Sequence, residues 1–339
     1  MSEEITFTEA RREGVGLLIG LAGASGSGKT KSALELATGL AGDKGRIFGI
    51  DTEAGRMRHY ASEYKFVHGD MKPPFSPERY MKAIEKAEAA GASVIVIDSA
   101  SHSWEGDGGL HDMHDSILAA QVEAARRSHN GNWEFDEAKT RDRLSVGAWR
   151  EPKAAHKRFV SRLLQCRAHL ILCFRADERM TMETVEEERN GRTFKKTVII
   201  QAKDLPPNER WTPICERRLP YELTLSLILT PQNPGIPVPV KLQDQHRSFF
   251  PLNQFISADA GRRLAAWAQG DPPAVATPDE IAAAMNEGEI AAGMSTVDGL
   301  NALWRRLAPH VRDAVGKAQF ATWKAKIEQN ARETEQEAT

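Results

Sequence analysis

The stretch Gly23-Ala24-Ser25-Gly26-Ser27-Gly28-Lys29-Thr30 decides the fold, because it matches the GxxxxGK[ST] pattern of a phosphate-binding loop (P-loop). It lies between a short apolar run, Val15 to Leu21, and a helical pattern from Lys29 to Leu40, which is the strand–loop–helix context that this motif requires. Glycines let backbone N–H groups converge on phosphates, and the helix N-terminus adds positive potential. The motif predicts that Lys29 reaches the β- and γ-phosphates and that the Thr30 hydroxyl ligates Mg²⁺.

Acidic side chains follow two other apolar strands. Val94 to Ile97 is β-branched throughout, as in a central parallel strand, and Asp98 comes directly after it. A carboxylate at that position is expected to hold Mg²⁺ through water. The next residue is Ser99, whereas AAA+ ATPases place a catalytic glutamate there, so the group that orients water is expected elsewhere. Glu53, just beyond the strand that ends in Ile50, supplies such an acid.

These motifs predict ATP and Mg²⁺ as the cofactors. The residues expected to bind the nucleotide through the loop are Gly23, Ser25, Gly26, Ser27, Gly28, Lys29 and Thr30. The expected metal ligands are Thr30 and Asp98.

Strand and helix signals alternate through the first 175 residues, which predicts an α/β fold with a mostly parallel central sheet. The further elements of this part are strands at Arg46–Ile50 and His169–Phe174 and helices at Ser76–Ala90 and Pro152–Cys166. The pattern then changes to a β-hairpin extension over Met180–Ile200, turning at Asn190-Gly191. Later signals indicate strands at Tyr221–Leu229 and Val238–Leu242 and a helix at Asp259–Trp267.

The domain organisation is predicted to be uneven. Residues 1–269 form the ATPase core, 270–278 (GDPPAVATP) a linker, and 279–339 a small helical appendage. Thr277 and Glu280 form a capping box at the start of the appendage. Residues 271–339 carry 11 acids and 7 bases, so this part has a net charge of −4 while the rest has +2.

Composition excludes several classes of protein. The 339 residues are 41% hydrophobic, which is enough for a core, and their net charge of −2 excludes a uniformly basic nucleic-acid coat. Three cysteines without metal-ligand spacing exclude a disulfide scaffold and a zinc ribbon. Because neither a signal peptide nor a membrane span is evident, we expect a cytoplasmic protein with no membrane partner.

The sequences IDTE (Ile50–Glu53) and VIVIDS (Val94–Ser99) resemble those of the RecA/RadA recombinase family. The resemblance implies that Glu53 activates the attacking water and that Tyr60, seven residues beyond it, lies against the adenine ring. Arg175 falls where that family has a polar sensor of the γ-phosphate, glutamine in bacterial RecA, and is either a sensor arginine or a salt-bridged strand end. The implied catalytic set is thus Lys29, Glu53, Asp98 and Arg175.

The chain is most similar to short RecA-like ATPases of bacteriophages, which are related to archaeal RadB and linked to recombination and strand annealing. That resemblance implies a homo-oligomer, ring or filament, with ATP bound between subunits, and the host cytoplasm as the location if the protein is phage-encoded. It also implies that single-stranded DNA contacts the loops at Ser99–Arg150 and Ala176–Leu205. The basic residues near the hairpin tip are Arg189, Arg192, Lys195 and Lys196.

Several alternatives stay open at this stage. The hairpin charges could bind DNA or form solvated cross-strand ion pairs, and Lys195 or Lys196 could reach a neighbouring subunit's ATP. The leading functional hypothesis is a DNA-dependent ATPase. A P-loop small-molecule kinase and a nucleotide-gated interaction protein are the alternatives. The appendage is a candidate docking site for a single-strand-binding protein.

Overall fold

The computed structural model describes residues 14, 16–131, 134–189, 192–206, 209–251, 253–270, 276–294 and 296–337. Two compact units make up the chain. The first comprises the residues up to Gln243 together with Phe249–Gln269, and the second comprises Asp244–Ser248 with the residues from Gly270 onward. None of the described helices is long and apolar enough to cross a membrane.

Ten strands lie in the described residues of the first unit. They are β1 (Leu18–Gly23), β2 (Ile47–Asp51), β3 (Val67–Asp70), β4 (Val94–Asp98), β5 (His169–Glu178), β6 (Thr181–Arg189), β7 (Arg192–Ile200), β8 (Trp211–Pro213), β9 (Leu225–Thr230) and β10 (Asn233–Lys241). The helices described up to residue 269 are α1 (Lys29–Ala41), α2 (Pro77–Ala89), α3 (His102–Glu105), α4 (Leu110–Arg127), α5 (Glu137–Ala148), α6 (Arg150–Leu164), α7 (Leu219–Glu222), α8 (Asp244–Arg247) and α9 (Ala258–Gln269). Short 3₁₀ helices lie at Arg56–Tyr60 and Ala202–Asp204.

The main sheet has the order β10-β9-β1-β5-β4-β2-β3, with β8 paired to the far end of β5. All neighbours along this path are parallel except β9 and β10, and β8 is also antiparallel to β5. Helices α1 and α9 cover one face of the sheet, and α2 and α6 cover the other. The predicted α/β class with a mostly parallel sheet is confirmed, and the architecture is that of a P-loop NTPase core.

The parallel arrangement of the strands brings the predicted site residues together. The central strand β4 is buried on both faces, with Val94 to Ile97 at 0% exposure, as expected for a strand covered by helices on each side. Because every crossover returns the chain to the same edge, the carboxyl ends of the parallel strands meet there. That edge carries Gly23, Asp51, Asp98 and Arg175.

The stretch 99–150, which the resemblance implies is a loop that contacts DNA, is largely helical and contains α3, α4 and α5. The expectation of a loop was wrong because the glycines at 106, 108 and 109 are followed directly by an amphipathic pattern. Along α4, Leu110, His114, Leu118 and Val122 recur every four residues and are buried. Ala148 at the end of α5 joins Leu118 and Val122 in a small core of their own.

Two strands were not predicted, and both are short. The edge strand β3 has only four residues, and most of its side chains are exposed, so it leaves little periodic signal. Strand β8 has three residues and pairs with the extension of β5 beyond Phe174, which runs to Glu178. Tertiary pairing, not local periodicity, forms both of these strands.

The predicted hairpin forms as a separate two-stranded sheet of β6 and β7, in register from Thr181↔Ile200 to Arg189↔Arg192. Residues 190 and 191 lie outside the described part of the chain, so the turn type stays a prediction.

The appendage prediction falls in the second unit, which contains α10 (Pro278–Met294), α11 (Val297–Arg306), α12 (Pro309–Val315) and α13 (Lys317–Glu337). The Thr277 hydroxyl accepts from the Glu280 N–H at 3.2 Å, and the Glu280 carboxylate accepts from the Thr277 N–H at 2.8 Å, which confirms the capping box. Trp323 is buried beside Leu300 and Leu303. Linker residues 271–275 lie outside the described residues, and the boundaries 1–269, 270–278 and 279–339 stay a prediction.

Candidate functional site

The P-loop joins the end of β1 to the first turn of α1. Gly23 is the last residue of β1, Ser25 to Gly28 form the turn, and Lys29 begins the helix. Gly28 precedes α1 with φ of 83°, a left-handed conformation that favours glycine, and a Cβ there would lie 3.0 Å from the Gly235 nitrogen. The first turn of α1 carries no acidic side chain, so its free N–H groups keep their attraction for a phosphate.

Lys29 and Thr30 point in two different directions from this helix start. The Lys29 ammonium donates to the backbone oxygens of Gly23 at 2.8 Å and Ala24 at 2.9 Å, so it lies over the loop itself. The Thr30 hydroxyl donates to Asp98 Oδ2 at 2.6 Å. The structure therefore joins the two residues that the sequence predicts as metal ligands.

Asp98 is 7% exposed, and this burial raises the pKa of its carboxyl, while the Thr30 hydrogen bond and the Lys29 charge oppose the rise. A hydroxyl and a carboxylate oxygen in contact are the hard donors that Mg²⁺ prefers, so the residues present fit that ion. Within the described ranges, no group of three or more His, Cys, Asp or Glu side chains could hold a metal. If Mg²⁺ binds through Thr30 and Asp98, its other coordination positions would go to phosphate oxygens and water, as this ion prefers.

Glu53 and Arg175 form an ion pair at the same sheet edge. The carboxylate oxygen Oε1 of Glu53 accepts from Arg175 Nε at 3.0 Å and from Nη2 at 2.8 Å. Arg56 Nη1 donates to the other oxygen at 3.3 Å. The Glu53 side chain is 17% exposed and that of Arg175 is 45% exposed, so the pair lies at the surface of the site. Arg175 is the register partner of Gly23 in the neighbouring strand, which places it beside the P-loop.

The predicted catalytic residues are thus brought together at one edge of the sheet. The Glu53 and Lys29 charges are both close enough to Asp98 to act on its pKa. Arg175, which lies 122 residues from Glu53 in the sequence, completes the group. A P-loop lysine, a hydroxyl–carboxylate pair, a further acid and an arginine at one edge are the groups that hydrolysis of a nucleoside triphosphate uses.

The two residues before Glu53 are held by hydrogen bonds that sequence reasoning did not identify. Thr52 Oγ1 lies 2.7 Å from His102 Nδ1 and accepts from the Ser99 N–H at 2.8 Å. Burial lowers the pKa of His102, and the nearby Arg175 charge acts in the same direction. The buried Asp51 side chain accepts hydrogen bonds from the turn that carries Glu53. In the sequence, Asp51 and Thr52 are part of the IDTE stretch, which assigns a role only to Glu53.

Tyr60 ends the 3₁₀ helix Arg56–Tyr60, where it is half-buried and packs against the core on the α1 side of the sheet. Another aromatic ring, Phe255, lies beside Gly235, which contacts the P-loop, and the sequence did not predict this position. The Gly235 N–H donates to the Ser27 oxygen at 3.0 Å, and a Cβ on Gly235 would lie 3.1 Å from Phe255 Cδ1. Phe255 is 70% exposed, although the next residue, Ile256, is buried. No sequence spacing links Phe255 to the P-loop.

The basic hairpin residues lie apart from this group, in the separate two-stranded sheet. In its register Arg189 is opposite Arg192, Lys195 is opposite Glu186, and Lys196 is opposite Val185. Side-chain positions at 185–196 lie outside what the structure describes.

Comparison with known proteins places the fold in a family. Residues 16–204, more than half of the chain, match the AAA_24 family, described as an AAA domain. The chain belongs to this AAA domain family. The matched part of the AAA domain includes the P-loop, Glu53, Asp98 and Arg175 and extends past β7. Ser99 follows Asp98 in this chain, and the other acids whose charges act on the Asp98 pKa are Glu53 and Asp51.

Solved structures also resemble this AAA domain. One is a KaiC-like protein from the hyperthermophilic archaeon Pyrococcus horikoshii OT3, with 14% sequence identity and a TM-score of 0.27, covering 59% of this chain and 85% of that one. A search of curated proteins found no match.

Proposed function

We propose that this AAA domain protein hydrolyses ATP with Mg²⁺ and acts on single-stranded DNA in phage-type recombination or strand annealing. The observation that carries the hydrolytic part is the position of Glu53, whose carboxylate lies at the same sheet edge as Lys29, Thr30 and Asp98. A P-loop with a separate strand-end carboxylate is the arrangement that orients water towards a γ-phosphate.

The residues have distinct roles in this proposal. Lys29 binds the β- and γ-phosphates, and Thr30 and Asp98 hold Mg²⁺, which when bound neutralises phosphate charge. Glu53 orients the attacking water. Arg175, beside the P-loop in register with Gly23, supplies positive charge to the γ-phosphate. Arg175 contacts Glu53, so a triphosphate has to compete with that carboxylate for the guanidinium charge.

The DNA part of the proposal rests on the resemblance to short phage RecA-like ATPases and on the basic hairpin. The β6–β7 ribbon forms its own sheet, and its sequence places Arg189, Arg192, Lys195 and Lys196 at the tip and on the return arm. Each phosphate that these residues neutralise would make binding more salt-sensitive. We further propose a homo-oligomer, with the C-terminal appendage as a docking site for a single-strand-binding protein.

A second candidate function is a nucleotide-gated interaction protein that binds ATP without turning it over. The observation in its favour is that both carboxylate oxygens of Glu53 are engaged by guanidinium groups, of Arg175 and Arg56. An acid held in this way is not free to orient water until one of the contacts is released.

ATP turnover measured with and without single-stranded DNA tests the proposal. Wild type is expected to hydrolyse ATP faster with DNA, and Glu53→Gln is expected to lose about 10²–10⁴-fold in turnover while still binding ATP. Arg175→Ala is expected to lose about 10²-fold, because a charge near the γ-phosphate disappears. Arg56→Ala is the matched control, since Arg56 also contacts Glu53 but is 70% exposed, and its turnover is expected to stay near wild type.

The outcomes separate the candidate functions. A wild type that binds ATP without turnover indicates the nucleotide-gated protein. Turnover that requires a small acceptor molecule indicates a kinase. Turnover that is unchanged by DNA, together with no DNA binding at low salt, removes the DNA part and leaves the ATPase.

A further inference from the structure

Asp51, the last residue of β2, is the most enclosed carboxylate near the site, at 1% exposure. Its Oδ1 accepts from the Glu53 N–H at 2.8 Å, and its Oδ2 accepts from the Met57 N–H at 2.9 Å. One side chain therefore holds both ends of the five-residue segment that presents Glu53. A carboxylate that accepts backbone N–H bonds is a strong acceptor, because charge-assisted hydrogen bonds are about twice as strong as neutral ones.

The same carboxylate has a third partner from the edge strand β3. His68 Nε2 lies 3.0 Å from Asp51 Oδ2, and the other ring nitrogen, Nδ1, accepts from Arg58 Nε at 3.3 Å. Because Nδ1 is an acceptor, the hydrogen of a neutral His68 ring is on Nε2 and points at Asp51. A short relay thus runs from Arg58 through His68 and Asp51 to the Glu53 backbone.

The segment after β2 needs such support. Ala54 and Gly55 have positive φ values of 57° and 81°, and for alanine that left-handed conformation is unfavourable. Regular pairing with β4 ends at Asp51↔Asp98, with one further backbone bond from the Thr52 N–H to the Asp98 oxygen. Beyond Thr52, the Asp51 contacts hold the backbone of the segment that presents Glu53, while Arg175 and Arg56 contact its carboxylate.

We propose that Asp51 is a positioning residue for Glu53 and that His68 orients Asp51, so that both act on the hydrolytic step without touching the nucleotide. This inference rests on the proposed function, because it requires Glu53 to orient water. Asp51 differs in this respect from Asp98, its register partner on β4, which bonds the Thr30 hydroxyl of the P-loop directly.

The test compares Asp51→Asn, His68→Ala and His68→Gln with Asp70→Asn as the matched control. Asp70 is the register partner of Asp51 on β3, but it is exposed, and its charged contact is Arg58 at 3.9 Å. Asparagine at 51 keeps one acceptor oxygen but turns an amide NH₂ towards a backbone donor. Glutamine at 68 can place its amide nitrogen where His68 has Nε2, so it is the conservative replacement.

Steady-state ATP turnover, affinity for a non-hydrolysable ATP analogue and amide hydrogen exchange at residues 53–57 are measured. Asp51→Asn is expected to lose about 10²-fold in kcat, as expected for a misplaced catalytic group, while analogue affinity changes less than about threefold. Exchange at Glu53 and Met57 is expected to quicken. His68→Ala is expected to lose about tenfold in kcat and His68→Gln to recover most of it, while Asp70→Asn stays at the wild-type rate.

Failure of this inference is distinguishable from failure of the proposed function. If wild type hydrolyses ATP and Glu53→Gln does not, but Asp51→Asn and His68→Ala remain fully active, the positioning role is wrong and the ATPase stands. A parallel loss of analogue affinity and kcat in these variants also overturns it, because it would show general damage to the site. If Asp51→Asn does not fold, the comparison of His68→Ala with His68→Gln tests the positioning role. A wild type without turnover overturns both.

Discussion

At the scale of single residues, the site consists of polar and charged side chains that contact partners at neighbouring strand ends. Lys29 contacts the loop carbonyls, Thr30 contacts Asp98, and Glu53 contacts Arg175. Each of these partners can exchange its protein contact for a phosphate or a cation. Phe255, beside Gly235, offers a different kind of contact, because an exposed ring can stack on a nucleobase. The resemblance assigns the same role to Tyr60, which packs against the core on the α1 side of the sheet.

Phe255→Ala is expected to weaken ATP binding about tenfold, since stacking between a base and an aromatic ring contributes about 1–3 kcal/mol. Affinity for inorganic tripolyphosphate, which has no base, is expected to stay unchanged. Calorimetric titration with both ligands measures the difference, with Phe255→Trp as the conservative control and Tyr60→Ala as the test of the other ring. An equal loss for both ligands would mean that Phe255 supports the P-loop through Gly235 and does not meet the base.

At the scale of elements, α1 is held against α9 by a close approach of two glycines. A Cβ on Gly39 would lie 1.9 Å from the Ala258 oxygen, and a Cβ on Gly261 would lie 2.3 Å from the Leu36 oxygen. Both obstacles are backbone atoms, which cannot rotate away as a side chain can. Since α1 begins with Lys29 and Thr30, this helix contact also determines where these two side chains lie.

Gly39→Ala and Gly261→Ala are each expected to lower the free energy of unfolding by about 1–3 kcal/mol or more, because the helices must separate to admit a methyl group. Gly147→Ala in α5 is the control. A Cβ there has no neighbour within 4 Å, so the higher helix propensity of alanine is expected to leave stability equal or up to about 1 kcal/mol higher. Urea denaturation measures all three variants, and three equal values would contradict the close-packed α1–α9 contact.

At the scale of the whole molecule, the described chain consists of a core unit with an open-edged sheet, a β-ribbon with its own two-stranded sheet, and a helical second unit. An isolated two-stranded ribbon is marginally stable in water, so the β6–β7 hairpin gains most from contact with another surface. In the proposed function that surface is single-stranded DNA or a neighbouring subunit.

Negative-stain imaging with a non-hydrolysable ATP analogue tests this arrangement. Rings or filaments are expected when single-stranded DNA and the analogue are both present, and fewer are expected at high salt, because phosphate contacts weaken as salt rises. Replacing Arg189, Arg192, Lys195 and Lys196 with Gln is expected to reduce the DNA-dependent assemblies but to leave ATP affinity unchanged. Particles of one size under every condition would argue against assembly on DNA.

Much of the architecture could be predicted because its signals are local. The P-loop motif, the buried β-branched run before Asp98, the hairpin pattern and the capping box each occupy a short window in which spacing reflects backbone geometry. Prediction failed where a signal was weak or interrupted. The four-residue strand β3 is mostly exposed. The glycines at 106, 108 and 109 interrupt the helical pattern directly before α4.

The sequence by itself determined the phosphate-binding chemistry, the α/β class and the identity of the strand-end acids. Only the tertiary structure decided which groups meet. Glu53 pairs with Arg175 across 122 positions, and Asp51 meets His68 across 17. Likewise Phe255 lies beside Gly235 of β10, whose N–H donates to the Ser27 oxygen of the P-loop. Local periodicity carries no information about strand order, and strand order is what brings the ends of β1, β2, β4 and β5 to one edge.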